Sequence, residues 1–465
     1  MLFIDDDTIA AISTPLGEGG IGIVRLSGKD SILIAERIFT SPKNKTLKDA
    51  KSYRVIYGFI KDPITGKEID EVLATVMRAP HSYTREDVVE INCHGGMVTL
   101  RKTLELVLKQ GARLADPGEF TKRAFLNGRI DLIQAEAVLD LIRSKTDESR
   151  RIAIEQLQGG LSEKVTVLRD RLTELCAHVE AYIDFPEDEI ETASKQEMLG
   201  SMKEIERELK KLLSTYDEAR FFREGLSTAI VGRPNVGKSS LLNALLQKDR
   251  AIVTEIPGTT RDVIEEYLNI NGLPLRIMDT AGIRAVQDIA EKEGVRRSLQ
   301  SIENADLVIP IFDSSEPLKD EDIEVMEKIK GKNVIVVMNK CDLPAAVDKV
   351  ELNSRLAPNN TNIMSISATR GDGLEELKER IFNICLKDWK EEREGVVVTN
   401  LRHKISIENA KVSLERATTA LVENQPLEIF AFELRDSLDR LGEIVGAVTT
   451  EDILNKIFND FCIGK

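Results

Sequence analysis

Cysteine is scarce in this 465-residue chain, with five at positions 93, 176, 341, 385 and 462. The number is odd and the spacings match no metal-ligand set, so neither a disulfide framework nor a zinc site is indicated. Although 42% of the residues are hydrophobic, no uninterrupted apolar run reaches membrane-spanning length. The start, Met1-Leu2-Phe3-Ile4-Asp5-Asp6-Asp7, is acidic rather than a signal peptide. A reduced, cytoplasmic setting is expected. Positive charge is in deficit, 64 Lys and Arg against 79 Asp and Glu. The resulting net charge of −15 argues against indiscriminate adhesion to nucleic acid or anionic membrane, while leaving room for a local basic face. Internal repeats and low-complexity tracts are missing too, and the length allows roughly three domains, each able to bury a core.

What is present is organised around Gly232-Arg233-Pro234-Asn235-Val236-Gly237-Lys238-Ser239, followed by Ser240. This fits the phosphate loop G-x-x-x-x-G-K-[ST] and follows the apolar run Thr228 to Val231, so strand, loop and helix succeed one another. Glycines let backbone N–H groups turn toward phosphate oxygens, and the helix starting near Lys238 adds the positive end of its dipole. Lys238 would reach the β- and γ-phosphates and Ser239 a magnesium ion. Asp279-Thr280-Ala281-Gly282 ends a second apolar stretch, where an aspartate can hold magnesium through water and the Gly282 N–H can sense a γ-phosphate. Asn339-Lys340-Cys341-Asp342 follows the buried-strand run Val334 to Met338. The Asp342 carboxylate would accept from the N1–H and 2-amino groups of guanine, donors that adenine does not present. In that order the motifs specify GTP.

Between the first two motifs, Ile256-Pro257-Gly258-Thr259-Thr260-Arg261-Asp262 supplies Thr260 as a magnesium ligand closing over the γ-phosphate. Ser367-Ala368, after the strand candidate Ile363 to Ile366, would contact the base from behind. Ile283 stands where Ras-like proteins place the glutamine that orients attacking water, so another group must do this. Gln287, Asp288, Glu291 and Glu293 are within reach in sequence, although a solvated helix start would carry the same residues.

The flanks divide the chain. Residues 1–120 alternate short apolar segments with turns and one amphipathic stretch, Val98 to Leu108, which reads as an α+β domain. Gly17 to Gly22 matches G-x-G-x-x-G, but Ile23-Val24-Arg25-Leu26 reads as strand, which excludes a dinucleotide site and leaves a turn or close backbone approach. Residues 121–223 become helical, with Val165, Leu168, Leu172, Leu175 and Val179, then Met198, Met202, Ile205, Leu209, Leu212 and Tyr216, at spacings of three and four. Residues 224–386 alternate strands with helices and place Asn271-Gly272 at a hairpin turn. Past a charged linker, residues 387–394, helical periodicity returns through Ile407 to Leu421 and Leu427 to Val445. The expected fold class is multidomain: an α+β N-terminal domain, and a helical bundle (121–223 with 387–465) into which a Ras-like α/β P-loop G domain (224–386) is inserted.

Gly-Arg-Pro-Asn-x-Gly-Lys-Ser-Ser, Gly-Thr-Thr-Arg-Asp and Asp-Thr-Ala-Gly-Ile-Arg resemble the potassium-activated GTPases. Ile21 to Gly28, Pro117 to Arg129 and Phe461-Cys462-Ile463-Gly464-Lys465 narrow the resemblance to the MnmE (TrmE) family of tRNA uridine-modification GTPases. It implies a folate-binding N-terminal domain, a homodimer joined through that domain, a tRNA substrate, and an FAD-dependent partner enzyme of the MnmG (GidA) type. Together they would install an aminomethyl or carboxymethylaminomethyl group on C5 of the wobble uridine. Asn235, Thr254, Ile256 and Thr259 match the potassium site, with potassium standing in for an arginine finger. Glu291 matches the acidic residue that orients water, and Arg261 and Asp262 a pair needed for efficient hydrolysis. Arg25, Glu90, Arg129 and Lys465 match contacts to 5-formyl-tetrahydrofolate, though each could equally form a surface ion pair. Cys462 matches a cysteine required for modification and not for GTP hydrolysis, while a small buried hydrophobe beside Phe461 is the plainer reading. The rival function is a ribosome-assembly GTPase switch that binds rRNA without modifying it. No KH-like Gly-x-x-Gly loop flanked by basic strand and helix follows the G domain to support it. Arg143, Lys145, Arg150 and Arg151 are the basic cluster from which an RNA contact could come, although such clusters usually just solvate a helix.

Overall fold

The computed structural model describes residues 7–184, 194–249, 266–278, 301–347, 352, 363–386, 389 and 395–465. The chain first builds β1 (Ile9–Ile12), β2 (Gly22–Ser27), α1 (Ser31–Ile38), β3 (Phe39–Thr40), β4 (Arg54–Lys61), β5 (Glu68–Met77), β6 (Val88–Cys93), α2 (Met97–Lys109) and β7 (Arg113–Leu114). The seven strands form one sheet in the order β3-β4-β5-β6-β2-β1-β7. Alternation along the strands sends Val24, Leu26, Val89, Ile91, Ala74 and Val76 into a core shared with α1 and α2. The opposite face therefore carries Arg25 beside Glu90, Glu90 beside Thr75 and Thr75 beside Val55. Toward its β4–β5 edge this face leaves Tyr53, Val55, Tyr57 and Leu73 exposed. The Gly17 to Gly22 segment leads into β2, and a Cβ on Gly22 would lie 2.4 Å from the Leu100 side chain of α2, so the close approach is real and no dinucleotide helix follows.

Helices α3 (Glu119–Leu126), α4 (Leu132–Arg143), α5 (Asp147–Leu157), α6 (Gly160–Asp184) and α7 (Lys195–Glu224) come next. Capping boxes start two of them: Asp131 with Gln134 at α4, and Ser194 with Glu197 at α7. The nucleotide-binding pattern then yields β8 (Leu226–Val231), α8 (Lys238–Asp249), β9 (Glu266–Ile270), β10 (Leu273–Ile277), β11 (Leu307–Asp313), α9 (Asp320–Lys328), β12 (Val336–Asn339), β13 (Ile363–Ser365) and α10 (Leu374–Cys385). Its sheet runs β13-β12-β11-β8-β10-β9, and only the β9–β10 hairpin is antiparallel. Asn271 and Gly272 turn that hairpin with φ of 52° and 89°, as an Asn-Gly pair at a two-residue hairpin turn should.

Helices α11 (Leu401–Val422), α12 (Leu427–Val445) and α13 (Glu451–Phe458) close the chain. The stripes on α6, α7, α11 and α12 meet in one core, so segments from both sides of the nucleotide sheet make a single bundle. Gln156 donates to the Val397 carbonyl at 3.3 Å, and the Val398 amide to the Thr215 hydroxyl at 2.9 Å, where the returning chain rejoins it. Helix α7 serves two cores. Met202, Ile205, Leu209, Leu212 and Tyr216 pack into the bundle, whereas Ala219, Phe221 and Phe222 pack with the nucleotide sheet. A buried ionic knot ties α4 to α11: Arg402 grips Glu136 at 2.9 and 3.0 Å, and His403 Nε2 lies 2.5 Å from the same carboxylate. Burial pushes the Glu136 carboxyl up, but the adjacent His403 and Arg402 outweigh it and hold the group below the usual range.

Candidate functional site

The phosphate loop leaves β8 at its carboxyl end and enters α8 at Lys238, so the loop lies against the N-terminus of that helix. Backbone dihedrals cup it: φ is positive at Gly232, Asn235 and Gly237. A Cβ on Gly237 would sit 2.1 Å from the Asn339 side-chain nitrogen, so glycine is required there by contact as well as by conformation. The Lys238 ammonium donates to the carbonyls of Gly232 at 2.6 Å and Arg233 at 2.9 Å, and burial lowers its pKa. A phosphate anion meeting this half-buried cation would offset its desolvation. Val236 is buried, whereas Asn235, Ser239 and Ser240 are exposed on the loop and first turn of α8.

Asn339, at the end of β12 and only 2% exposed, laces three motifs together. Its side-chain NH2 donates to the Val236 carbonyl at 2.8 Å, and its side-chain oxygen accepts from the Ala368 amide at 3.0 Å. Lys340 adopts φ of 64° and reaches back to Asp313 at 2.5 Å. The Ser367 hydroxyl bonds to Asp342 and holds that carboxyl below its ordinary range, so it remains an acceptor. Asn339, Lys340, Asp342, Ser367 and Ala368, the residues expected to contact the base, are thus gathered at the carboxyl ends of adjacent parallel strands, where open α/β sheets bind ligands. Arg233 leaves the loop sideways to pair with Glu316 at 2.8 Å and Asp322 at 3.2 Å. Thr254, Ile256, Thr259, Thr260, Arg261, Asp262, Asp279, Gly282, Ile283, Gln287, Asp288, Glu291 and Glu293 lie outside the described residues.

A second cluster forms where the chain's last residues return to the N-terminal sheet. Ile463 bridges Pro117, and the Phe120 amide donates to the Lys465 carbonyl at 3.2 Å. Gly464 takes φ of 95°, and a Cβ there would strike the Ile12 carbonyl at 2.4 Å, so the tail lies flush on the sheet. Arg25 pairs with Glu90 at 2.8 Å, donates to the Gly464 carbonyl at 3.3 Å and lies over the Phe120 ring. With side-chain exposures of 16% and 22%, Arg25 and Glu90 are not a surface ion pair of the weak kind. Burial and nearby Arg25 push the Lys465 ammonium down, while Glu90 and Cys462 pull the other way. Arg129 joins at one remove: its guanidinium stacks 4.7 Å from the Tyr83 ring centre, and both Arg129 and Arg25 lie near enough to oppose the upward push of burial on that phenol. Cys462 is exposed, so the reading of it as a buried hydrophobe is set aside; Phe461 alone fills that role.

Family models agree with this layout. The "GTP-binding protein TrmE N-terminus" model matches residues 8–129 and the "MnmE helical domain" model residues 132–462. The chain belongs to the MnmE (TrmE) family. Three relatives bearing the name tRNA modification GTPase MnmE are similar over their whole length. That of Thermoanaerobacter pseudethanolicus is 50% identical over 459 residues, 99% of each chain. That of Alkaliphilus oremlandii is 49% identical over 460 residues, again 99% of each. That of Clostridioides difficile is 49% identical over 464 residues, 100% of each. Among solved structures, Aquifex aeolicus Era bound to GDP.AlF4- aligns at 29% identity over 40% of this chain and 65% of its own, with a TM-score of 0.27. The fold of the nucleotide domain accordingly rests on the strand order given above.

Residues that the motifs did not announce complete both sites of this MnmE-family chain. Asp313 anchors Lys340, Asn339 ties loop to loop, and Tyr83 and Phe120 carry the cations of the second cluster. Asn339 belonged to the Asn-Lys-x-Asp motif and Phe120 to the Pro117 to Arg129 stretch, but neither motif announced these partners.

Proposed function

We propose that this protein is a potassium-activated GTPase that, with an FAD-dependent partner of the MnmG type, adds an aminomethyl or carboxymethylaminomethyl group to C5 of the wobble uridine of certain tRNAs. The observation that carries the proposal is whole-length similarity to tRNA modification GTPases in a chain whose phosphate and base loops are laced through Asn339. The rival, an rRNA-binding assembly switch, leaves the second cluster without a role.

The chain's own groups divide the work. Gly232 to Ser240 cradle the phosphates, and Asp342 with Ser367 and Ala368 reads the base. Ser239, with Thr260, would hold magnesium, and Asp279 and Gly282 would lie by that ion and the γ-phosphate. Asn235, with Thr254, Ile256 and Thr259, would hold potassium, and the exposed, left-handed position of Asn235 on the loop suits a ligand role. When bound, these cations supply positive charge beside the transferring phosphate. Glu291 would orient water, supported by Arg261 and Asp262. Arg25, Glu90, Arg129 and Lys465 would hold 5-formyl-tetrahydrofolate: three cations and one carboxylate suit a ligand with carboxylates and a pterin edge, and exposed Cys462 stands beside them. The exposed apolar strip Tyr53, Val55, Tyr57 and Leu73 on the same sheet supports a homodimer through this domain. Distinct core clusters in the N-terminal sheet, the bundle and the nucleotide sheet support division into residues 1–120, 121–223 with 387–465, and 224–386, with Ile152, Ala219, Phe221, Phe222, Trp389 and Val397 joining the nucleotide core across the boundary. Among the described residues no helix is long and apolar enough to cross a membrane, which accords with cytoplasmic work on tRNA.

The test is GTP hydrolysis in potassium chloride and in sodium chloride at equal ionic strength, with Asn235→Ala alongside. Potassium dependence that the variant loses is expected. Equal rates in the two salts would remove the ion from the mechanism.

A further inference from the structure

The cluster Arg143, Lys145, Arg150 and Arg151 separates into two kinds of cation. Arg150 is paired with Asp147 at 3.3 Å, and Arg151 with Glu148 at 2.7 Å and Glu155 at 3.6 Å, all within one helix. Arg143 and Lys145 form no salt bridge among the described residues, although Arg143 lies near enough to Asp140 to favour its charged form. Arg143 donates instead to the backbone carbonyl of Asp460 at 2.7 Å, and the Lys145 ammonium stands 5.3 Å from the centre of the Tyr267 ring. Both face a cleft of about 830 Å³ bounded by α4, α5, the end of α7 and the β9–β10 hairpin. Its lining is apolar at Ile152 and Phe222; Arg276 on the hairpin and Arg223, paired with Asp140 at 2.9 Å, add cations, against the acids Asp140, Glu224 and Asp460.

The position of the cleft matters as much as its charge. Asp460, held by Arg143, is two residues from exposed Cys462, and the tail continues to Gly464, whose carbonyl Arg25 holds. A polyanion lying in the cleft would therefore have one edge directed toward the tail and the second cluster. Tyr267, on the opposite wall, offers a ring of the kind on which unstacked bases rest.

We infer that this cleft docks the RNA backbone, with Arg143 and Lys145 contacting phosphates and Tyr267 flanking them. The inference rests on the tRNA reading above and assigns the surface that reading lacks. Phosphate contacts of this sort set affinity and its salt dependence without reading sequence.

The experiment is binding of an unmodified tRNA transcript, with uridine at the wobble position, to the full-length protein across a range of potassium chloride concentrations. R143A/K145A should bind at least about tenfold more weakly and lose about one unit of log–log salt slope per cation. R150A/R151A should match the parent protein. Glu224→Lys, which places a new cation on the rim of the cleft, should tighten binding. Melting temperatures show whether each variant is folded, and Lys145→Gln alone replaces the double variant if that one is not. Unchanged affinity and slope in R143A/K145A, or equal losses in both double variants, would overturn the assignment. Failure of the parent protein to retain the transcript under any nucleotide condition would instead overturn the tRNA reading itself.

Discussion

The two candidate sites of this molecule are built on opposite plans. The nucleotide site is assembled from three short segments, each following a strand in the parallel part of one sheet, and the Asn339 side chain ties them together. The Arg25 cluster draws residues 25, 90, 129 and 465 from across the chain, and a tail lying flush on a foreign sheet completes it. Each site nonetheless contains a lysine whose charge is disfavoured by burial. Among the described residues Lys238 donates to the carbonyls of Gly232 and Arg233, whereas Lys465 shares its surroundings with Arg25, Glu90 and Cys462. The lesson is that a loop-built site tolerates distant change and fails locally, while a tail-built site fails when either end of the chain is disturbed.

Separate failure is the sharpest test of that contrast. Lys238→Ala should reduce GTP hydrolysis about a thousandfold, on the scale of losing a preorganised charge in a catalytic site, and leave retention of labelled 5-formyl-tetrahydrofolate intact. Asn339→Ala should come close to it, because one truncation unties both the Val236 and Ala368 contacts. Next in size, Asp342→Asn should cut the preference for GTP over xanthosine triphosphate by about a hundredfold, read from competition binding, since the amide no longer matches the guanine donors. Arg25→Ala should weaken folate retention by roughly ten- to a hundredfold, the worth of a charge-assisted hydrogen bond, with hydrolysis unaltered. If it slowed hydrolysis instead, the two sites would not be independent.

The smallest effect concerns pH. An anion held by Lys465 needs the ammonium form, and its folded pKa lies below the ordinary lysine value of about 10.5. Folate retention should therefore be full at low pH and fall as pH rises through the depressed value, before an exposed lysine would lose its proton. Lys465→Arg should extend retention to higher pH. A profile that turns only above the ordinary lysine range would mean that Lys465 does not face the ligand.

Legibility in the sequence follows the same contrast. Phosphate loop, Asn-Lys-x-Asp and Ser-Ala could be read because each sits at the end of an apolar run, and the Asn-Gly turn because only left-handed dihedrals close a two-residue hairpin. The helical stripes were equally plain, since spacing alone fixes a buried face, and Val165 to Val179 and Met202 to Tyr216 are indeed core. Side-chain partnerships across the fold carry no such spacing. Nothing local joins Arg233 to Asp322, Asp313 to Lys340, or Arg402 to Glu136. Arg25, Glu90, Arg129 and Lys465 were named through resemblance, and their assembly depends on Tyr83 and Phe120, whose types suggest only core. The split of the basic cluster into paired and unpaired halves required knowing that Arg143 meets the Asp460 backbone.

Helix α7 has a mechanical consequence. Its thirty residues make a rod of about 45 Å at 1.5 Å per residue, seated in one core along most of its length and in another at its tip. No slack tether lies on this side between the bundle and β8. A turn of the nucleotide domain must then be carried along the rod as torque, or the rod must snap where ownership of its buried face changes hands, at Asp217 and Glu218. In the first case, movement at one end arrives at the other as rotation rather than as a loosened loop.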